Sequence, residues 1–128
     1  MKLLLDTHAF IWLNSEPSRL SETVRQLCQS GEHKFYLSMA SPWEMQIKYQ
    51  LGKLSLDVPL EELIERNIQS NHIQFLPIEF KYISHLAKLP FHHNDPFDRM
   101  IIAQALVEKM SIVSVDGAFS AYSVPVVW

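Results

Sequence analysis

Short, almost wholly apolar segments alternate along this chain with longer segments of helical periodicity. The predicted strands are residues 2–5, 34–38, 73–78, 111–115 and 124–127, and the predicted helices are residues 7–14, 21–30, 41–51, 60–71, 79–88 and 95–109. Strands that are nearly continuous in Val, Ile and Leu and that alternate with helices are typical of a parallel sheet covered on both faces. The pattern therefore predicts an α/β fold.

The size and composition indicate an ordinary globular domain. The 128 residues correspond to a single domain, 1–128, with 48% hydrophobic and 20% charged residues. Cys28 is the only cysteine, which excludes an intrachain disulfide and favours a reducing, cytoplasmic location. Asp6 and His8 interrupt the apolar start of the chain, and no run approaches the ~18 apolar residues of a membrane span. We expect a protein that is neither exported nor embedded in a membrane.

The net charge limits how nucleic acid could bind. With 14 acidic and 11 basic residues, the chain carries a formal charge of -3. Such a balance argues against a broad basic face that holds a polyanion. Any binding of nucleic acid must therefore be local or assisted by a metal ion.

Acidic residues follow two of the strands and begin two of the helices. Asp6 and Asp116 come directly after apolar strand segments, whereas Glu44 and Asp98 are placed at the third position of helices that open with Ser-Pro and Asp-Pro. Asp95 stands at the cap of the second of these helices. Because sites in open parallel sheets form outside the carboxyl ends of the strands, we expect these acids to converge there.

Each acid also has a purely structural interpretation. Glu44 fits a capping box with Ser41, or an ion pair with Lys48 one turn later. Asp95 is a good N-cap, and Asp98 would be favoured in the first turn by the helix dipole, which also favours its anionic form. Asp116 could belong to a turn with Gly117, whereas Asp6 has no obvious turn role.

Convergence of these acids would require compensation. Two carboxylates ~5 Å apart repel by about 3 kcal/mol at an effective dielectric constant of 20. All-oxygen ligands on rigid elements suit Mg²⁺ or Mn²⁺. Such an ion lowers the pKa of bound water and neutralises charge on a phosphodiester, so the cluster indicates a hydrolase acting on phosphate esters.

Two adjacent histidines precede the last of these acids. His92 and His93 would point apart, and no Cys or well-spaced third His lies near them, so a structural zinc site is disfavoured. We interpret them as loop residues, of which His93 could contact substrate phosphate. His8, one turn into the first helix, is interpreted as a packing or surface residue that could reach the edge of the site.

Four segments in order resemble one family over essentially the whole chain. LLLDTHAFIWL, SPWEMQIKYQLGKL, LPFHHNDPFDRMIIAQAL and SVDGAFSAYSVPVVW resemble PIN domains, specifically the VapC-like toxins of toxin-antitoxin pairs and their DPFDR subgroup. The resemblance implies a three-layer α/β/α sandwich with a mainly parallel sheet. It also implies a ribonuclease dependent on Mg²⁺ or Mn²⁺, a homodimer, and a small antitoxin partner.

The resemblance assigns roles to residues of this chain. The matching catalytic acids are Asp6, Glu44, Asp98 and Asp116, and the matching metal ligands are Asp6, Asp95, Asp98 and Asp116. The hydroxyl residues matching positions that support the acids are Thr7 and Ser114.

One position departs from the pattern of the family. Val115 stands where relatives often carry a basic residue, which removes one candidate phosphate contact. Setting aside the five site acids leaves 9 acidic against 11 basic residues, about +2, to attract RNA. The candidates for lining an RNA path are Lys48, Lys53, Lys88 and Arg99. We expect the aromatic residues Trp12, Trp43 and Trp128 to lie in the core rather than at an interface.

The sequence thus predicts a metal-dependent endoribonuclease, with two alternatives. One is a catalytically silent PIN-like module that binds RNA or protein, although a decayed site should have lost at least one of the four acids. The other is an acid-edged phosphohydrolase or receiver-like domain. It is disfavoured because neither KFYLSMAS nor IQFLPI ends in an acceptor Asp.

Overall fold

A five-stranded sheet forms the centre of the molecule. The structure, a computed structural model, describes residues 1–70 and 72–128. Its strands are β1 (Lys2–Leu5), β2 (Lys34–Ser38), β3 (Ile73–Leu76), β4 (Ser111–Val113) and β5 (Val126–Val127). All four pairings are parallel, in the order β3-β2-β1-β4-β5. The chain therefore winds first to one side of β1 and then to the other, so the topological switch point lies between β1 and β4.

Among the described residues, six α-helices cover this sheet. They are α1 (Thr7–Ser15), α2 (Glu22–Ser30), α3 (Ala40–Gln50), α4 (Leu60–Ser70), α5 (Phe80–Leu86) and α6 (Pro96–Glu108). Two short 3-10 helices span Pro17–Arg19 and Gly117–Ala121. In the part of the chain that the structure describes, no helix is both long and apolar enough to cross a membrane.

The sheet has a hydrophobic core on each face. Leu3 and Leu5 pack on one face with the apolar side of α1 and α2, whereas Leu4 packs on the other with Ile101 and Ile102 of α6. Neighbouring side chains of a strand point to opposite faces, so a fully apolar strand needs cover on both sides. The predicted three-layer α/β/α sandwich with a parallel sheet is confirmed.

Local signals set several helix ends where they were predicted. The Ser21 side chain accepts from the Val24 amide, and Gly31 ends α2 with a φ of +71°, a conformation that glycine adopts without steric cost. Asp95 caps α6, which ends at Lys109 in a left-handed conformation. These ends agree with the predicted helices 21–30 and 95–109.

Other predicted bounds are wrong by a few residues. Helix α3 begins at Ala40, without a side-chain cap, so the predicted Ser41 cap is incorrect. Strand β3 ends at Leu76 instead of residue 78, and β4 ends at Val113 instead of residue 115. Strand β5 starts at Val126 instead of residue 124. The predicted final residue of α4, Asn71, lies outside the described residues.

The three tryptophans do not share one environment. Trp12 and Trp128 are partly buried against the first core and meet edge to face at 5.8 Å. Trp43 is 60% exposed, so its predicted place in the core is wrong. Its ring packs edge to face on Phe97, with ring centroids 5.2 Å apart.

Candidate active site

The first acid lies at the junction of β1 and β4. Asp6 follows β1 and is 4% exposed. Its Oδ1 accepts from the Ala9 amide at 2.7 Å, and its Oδ2 accepts from the Ser114 hydroxyl at 2.5 Å. Asp6 is therefore the N-cap of α1, a structural role that the sequence did not suggest. Ser114 supports it, as the resemblance implied.

The pKa of Asp6 reflects both burial and these contacts. Burial raises the pKa, the hydrogen bonds from Ser114 and Ala9 oppose that rise, and the charge of Asp116 adds to it. Asp116 is exposed and lies three residues beyond β4, not directly after it as predicted. Its Oδ1 accepts from the Ala118 amide at 2.9 Å, capping the short helix Gly117–Ala121.

Glu44 is the fifth residue of α3 and is 4% exposed. Its Oε1 accepts from the Thr7 hydroxyl at 2.7 Å, and its Oε2 accepts from Lys48 Nζ at 2.8 Å. The Thr7 oxygen also lies 2.9 Å from Ser41 Oγ. The capping box is therefore wrong, the ion pair with Lys48 is confirmed, and Thr7 contacts the second acid.

Asp98 lies at the third position of α6, where Asp95 caps the helix. Asp95 Oδ1 accepts from the amides of Phe97 and Asp98 at 2.9 and 3.0 Å. Burial, together with the negative charges of Asp95 and Glu44, raises the pKa of Asp98 to about 6. The net pKa of Asp98 is therefore raised by burial and like charges, whereas the helix end was expected to favour the anionic form.

Lys48 is a cation beside the acids. Its hydrogen bond to Glu44 raises its pKa, and the charges of Asp95 and Asp98 raise it further. Its side chain is 41% exposed, whereas that of Glu44 is 6% exposed. Lys48, predicted to contact substrate, thus neutralises part of the acid cluster from its solvent side.

Arg99 is placed differently from its prediction. It is 6% exposed, and its guanidinium donates to the carbonyls of Pro90 and Leu89 and to the Tyr122 hydroxyl. A cation committed to interior acceptors cannot line an RNA path, so that prediction is wrong. His93 lies near the acids, with Nε2 3.4 Å from Asp98 Oδ2.

A groove of about 440 Å³ extends the site along α1 and α3. Thr7 and Lys48 line this groove together with His8, Trp12 and Lys53. A larger cavity of about 660 Å³ opens among Asn14, Lys34, Asn67 and other residues, and none of the predicted site residues lines it. The smaller groove is connected to the site because Thr7 and Lys48, which line it, both form hydrogen bonds with Glu44.

The acids supply donor atoms that suit a divalent cation, but their side chains are not arranged around one position. They offer oxygen donors, which suit Mg²⁺ and Mn²⁺, and Asp98 is held close to other carboxylates that repel it. Within residues 1–70 and 72–128, however, no three Asp, Glu, His or Cys side chains are grouped as metal ligands. Binding would thus require these side chains to close in from their present positions, with Glu44 held by Lys48.

Two side-chain contacts of this site were missed by sequence reasoning. Ser41 meets Thr7 across 34 positions, and Tyr122 meets His93 across 29. Neither pairing leaves a local signal, because each arises only when separate elements pack together. A small hydroxyl residue one turn before Glu44 was the only available hint of the first.

These features define a class of protein: a parallel α/β domain with acidic residues near its topological switch point. A family model described as "PIN domain" matches residues 3–125, and the chain belongs to the PIN domain family.

Several solved structures share this fold. A chain in VapBC2 from Rickettsia felis, bound to a DNA fragment from their promoter, aligns with a TM-score of 0.72 at 13% identity, covering 99% of this chain and 98% of that one. DNA-bound VapBC from Salmonella typhimurium gives 0.68 at 18%, covering 99% and 97%. FitAcB from Neisseria gonorrhoeae gives 0.60 at 21%, covering 97% and 95%. No curated protein matches the chain.

Proposed function

We propose that this protein is a metal-dependent endoribonuclease that hydrolyses RNA phosphodiester bonds, as the VapC-like toxin of a toxin-antitoxin pair. The observation that carries the proposal is Asp98, a carboxylate kept partly buried beside Asp95 and Glu44 although their charges raise its pKa. A fold retains such repulsion where function requires it, and perturbed acids cluster at functional sites. Membership of the PIN family supports the same proposal.

Four acids would hold the cation: Asp6, Asp95, Asp98 and Asp116. Bound Mg²⁺ or Mn²⁺ supplies charge neutralisation at the phosphate and a lowered pKa for coordinated water. Glu44 completes the catalytic set from α3, beside Thr7. Thr7 and Ser114 act as positioning residues, because their hydroxyls donate to Glu44 and Asp6 respectively.

The basic residues of the groove would meet the substrate. Lys48 and Lys53 line it together with His8 and Trp12, so the groove offers cations and aromatic rings, and Lys48 is bonded to Glu44. Aromatic rings stack on bases without strong sequence preference. His93, 3.4 Å from Asp98, remains a candidate for contact with the substrate phosphate from the other side.

Cleavage of a mixed RNA pool tests the proposal. The purified protein is incubated with Mg²⁺, with Mn²⁺ and with EDTA, alongside Asp98→Asn and the matched control Asp57→Asn. We expect cleavage that requires metal, survives in the control, and falls more than about 100-fold in Asp98→Asn, since even outer-shell changes cost 10- to 100-fold.

The outcome separates the nuclease from the silent binding module. Equal cleavage by wild type and Asp98→Asn would contradict the proposed site. Absence of cleavage, together with RNA retention unaffected by EDTA, would favour the module that binds without catalysis.

The partners are a further part of the proposal. VapBC and FitAB complexes among the similar structures support a small antitoxin, a homodimer is inferred from the resemblance, and DPFDR suggests the subgroup. The single, half-buried Cys28 supports a cytoplasmic location. Light scattering on the purified protein should give twice the mass of one chain, 14.9 kDa, and a monomer would refute the dimer.

A further inference from the structure

Residues 89–93, which precede α6, are bonded to two buried side chains, those of Arg99 and Tyr122. The Arg99 guanidinium accepts no hydrogen bond and donates to the carbonyls of Leu89 and Pro90, at 3.2 and 2.8 Å. The Phe91 ring lies over the guanidinium, at 3.9 Å. Arg99 also donates to the Tyr122 hydroxyl, at 3.2 Å. These contacts hold the segment in one place relative to the acids.

The Tyr122 hydroxyl has three polar neighbours. Arg99 Nη1 lies 3.2 Å away, the His93 amide nitrogen 3.4 Å, and His93 Nδ1 2.8 Å. The guanidinium and the amide can only donate, and a phenol oxygen has two lone pairs and one proton. Once those two donors occupy both lone pairs, the remaining contact must use the phenol proton.

That proton can go only to His93 Nδ1, which must then be an acceptor. An imidazole that accepts at Nδ1 carries its own proton on Nε2. Nε2 lies 3.4 Å from Asp98 Oδ2, so the ring presents an N–H to that carboxylate. The opposite tautomer would turn a lone pair toward the carboxylate and leave the phenol proton without an acceptor.

We propose that Arg99 and Tyr122 are positioning residues that fix His93 in its Nε2–H tautomer, so that His93 orients the Asp98 carboxylate through a hydrogen bond. The role in orienting a metal ligand rests on the proposed function. The tautomer itself follows from the donors around Tyr122. Hydrogen bonds of this outer kind typically change metal affinity or activity by 10- to 100-fold.

Long-range proton–nitrogen NMR of histidine-labelled protein tests the tautomer directly. Spectra are recorded in EDTA at about pH 8, where histidines of ordinary pKa are neutral. The signals of His93 are identified by their loss in His93→Gln. We expect one protonated nitrogen, Nε2, and an Nδ1 shift typical of an acceptor. A ring protonated at Nδ1, or at both nitrogens, would overturn the proposal.

Two variants test the chain of contacts. Tyr122→Phe removes only the hydroxyl and should give His93 a mixture of tautomers. Tyr82→Phe removes another buried hydroxyl, bonded to Glu108 at 2.7 Å, and should leave the His93 signals unchanged. An unaltered His93 tautomer in folded Tyr122→Phe would overturn the role of Tyr122. The wild-type spectrum alone still decides the tautomer if that variant does not fold.

Mn²⁺ binding then connects the tautomer to the proposed function. We expect affinity to fall about tenfold in Tyr122→Phe and to remain unchanged in Tyr82→Phe. The Nε2–H tautomer in a protein that binds no Mn²⁺ would contradict the proposed function and leave the tautomer intact. Unchanged affinity in Tyr122→Phe, despite an altered tautomer, would overturn the effect on Asp98.

Discussion

Two carboxylates of the site, the buried Asp6 and the partly buried Asp98, are held in opposite ways. Both oxygens of Asp6 accept short hydrogen bonds, from Ala9 and Ser114, and the residue caps α1. The Asp98 carboxylate has one side-chain contact, in which Oδ2 lies 3.4 Å from His93 Nε2, and it is close to the negative charges of Asp95 and Glu44. Asp6 stabilises the fold through its hydrogen bonds, whereas Asp98 is held by the surrounding structure close to charges that repel it. A cation would relieve Asp98 far more than Asp6.

Replacing Asp6 should show its structural role most strongly. The free energy of unfolding of Asp6→Ala is expected to be about 2 kcal/mol lower than that of Asp6→Asn. Alanine cannot cap α1, and it leaves the Ser114 hydroxyl without its acceptor. Asparagine keeps one oxygen, which can still accept from the Ala9 amide, and its NH2 group can donate to the Ser114 oxygen. Urea unfolding in EDTA measures the difference, and equal midpoints with equal slopes would show that Asp6 does not support the fold.

Replacing Asp98 is expected to raise the stability of the protein instead of lowering it. In EDTA, Asp98→Asn should be about 1 to 2 kcal/mol more stable than the wild type at neutral pH, because the change removes a charge repelled by Asp95 and Glu44. The figure allows for screening by solvent at the partly exposed side chain. Asp57→Asn, the same change at an exposed position, should have little effect. A less stable Asp98→Asn would contradict the repulsion.

The difference between the wild type and Asp98→Asn should depend on pH. The Asp98 pKa is about 6 in the folded protein and about 3.9 in an unfolded chain, so the folded state binds the proton more tightly. The wild type therefore loses stability relative to the variant as pH rises through this window. We expect no difference near pH 4 and the full difference above about pH 7. A flat difference across this range would exclude Asp98 as the cause.

Replacing Lys48, the cation beside the acids, should have the smallest effect on stability of the changes at this site. Lys48→Met leaves the buried Glu44 carboxylate with only Thr7 as its partner and should cost about 1 kcal/mol at low salt. Lys81→Met, which removes a more exposed ion pair with Glu108, should cost less. Similar stability of the two variants in thermal melts would show that Lys48 is not part of the acid cluster.

Local patterns predicted the fold well and the site only in part. Asp95 and Gly31 act within one turn of chain, so the helix ends that they set were predictable. The capping box considered as one alternative for Glu44 does not form, because α3 begins earlier than the Ser-Pro signal suggests. Arg99 was misread as a surface cation because its acceptors, Leu89, Pro90 and Tyr122, become available only when the loop packs on α6.

By itself, the sequence determined the parallel α/β sandwich and the presence of acids at the ends of its strands. Apolar strands need cover on both faces, and in a parallel sheet the residues after those strands share one edge. Only the tertiary structure decided which partners each acid has. The bond from Ser114 to Asp6 spans 108 positions of the chain, and the contact of His93 with Tyr122 spans 29. Propensities act over a few residues, whereas such contacts depend on how whole elements pack.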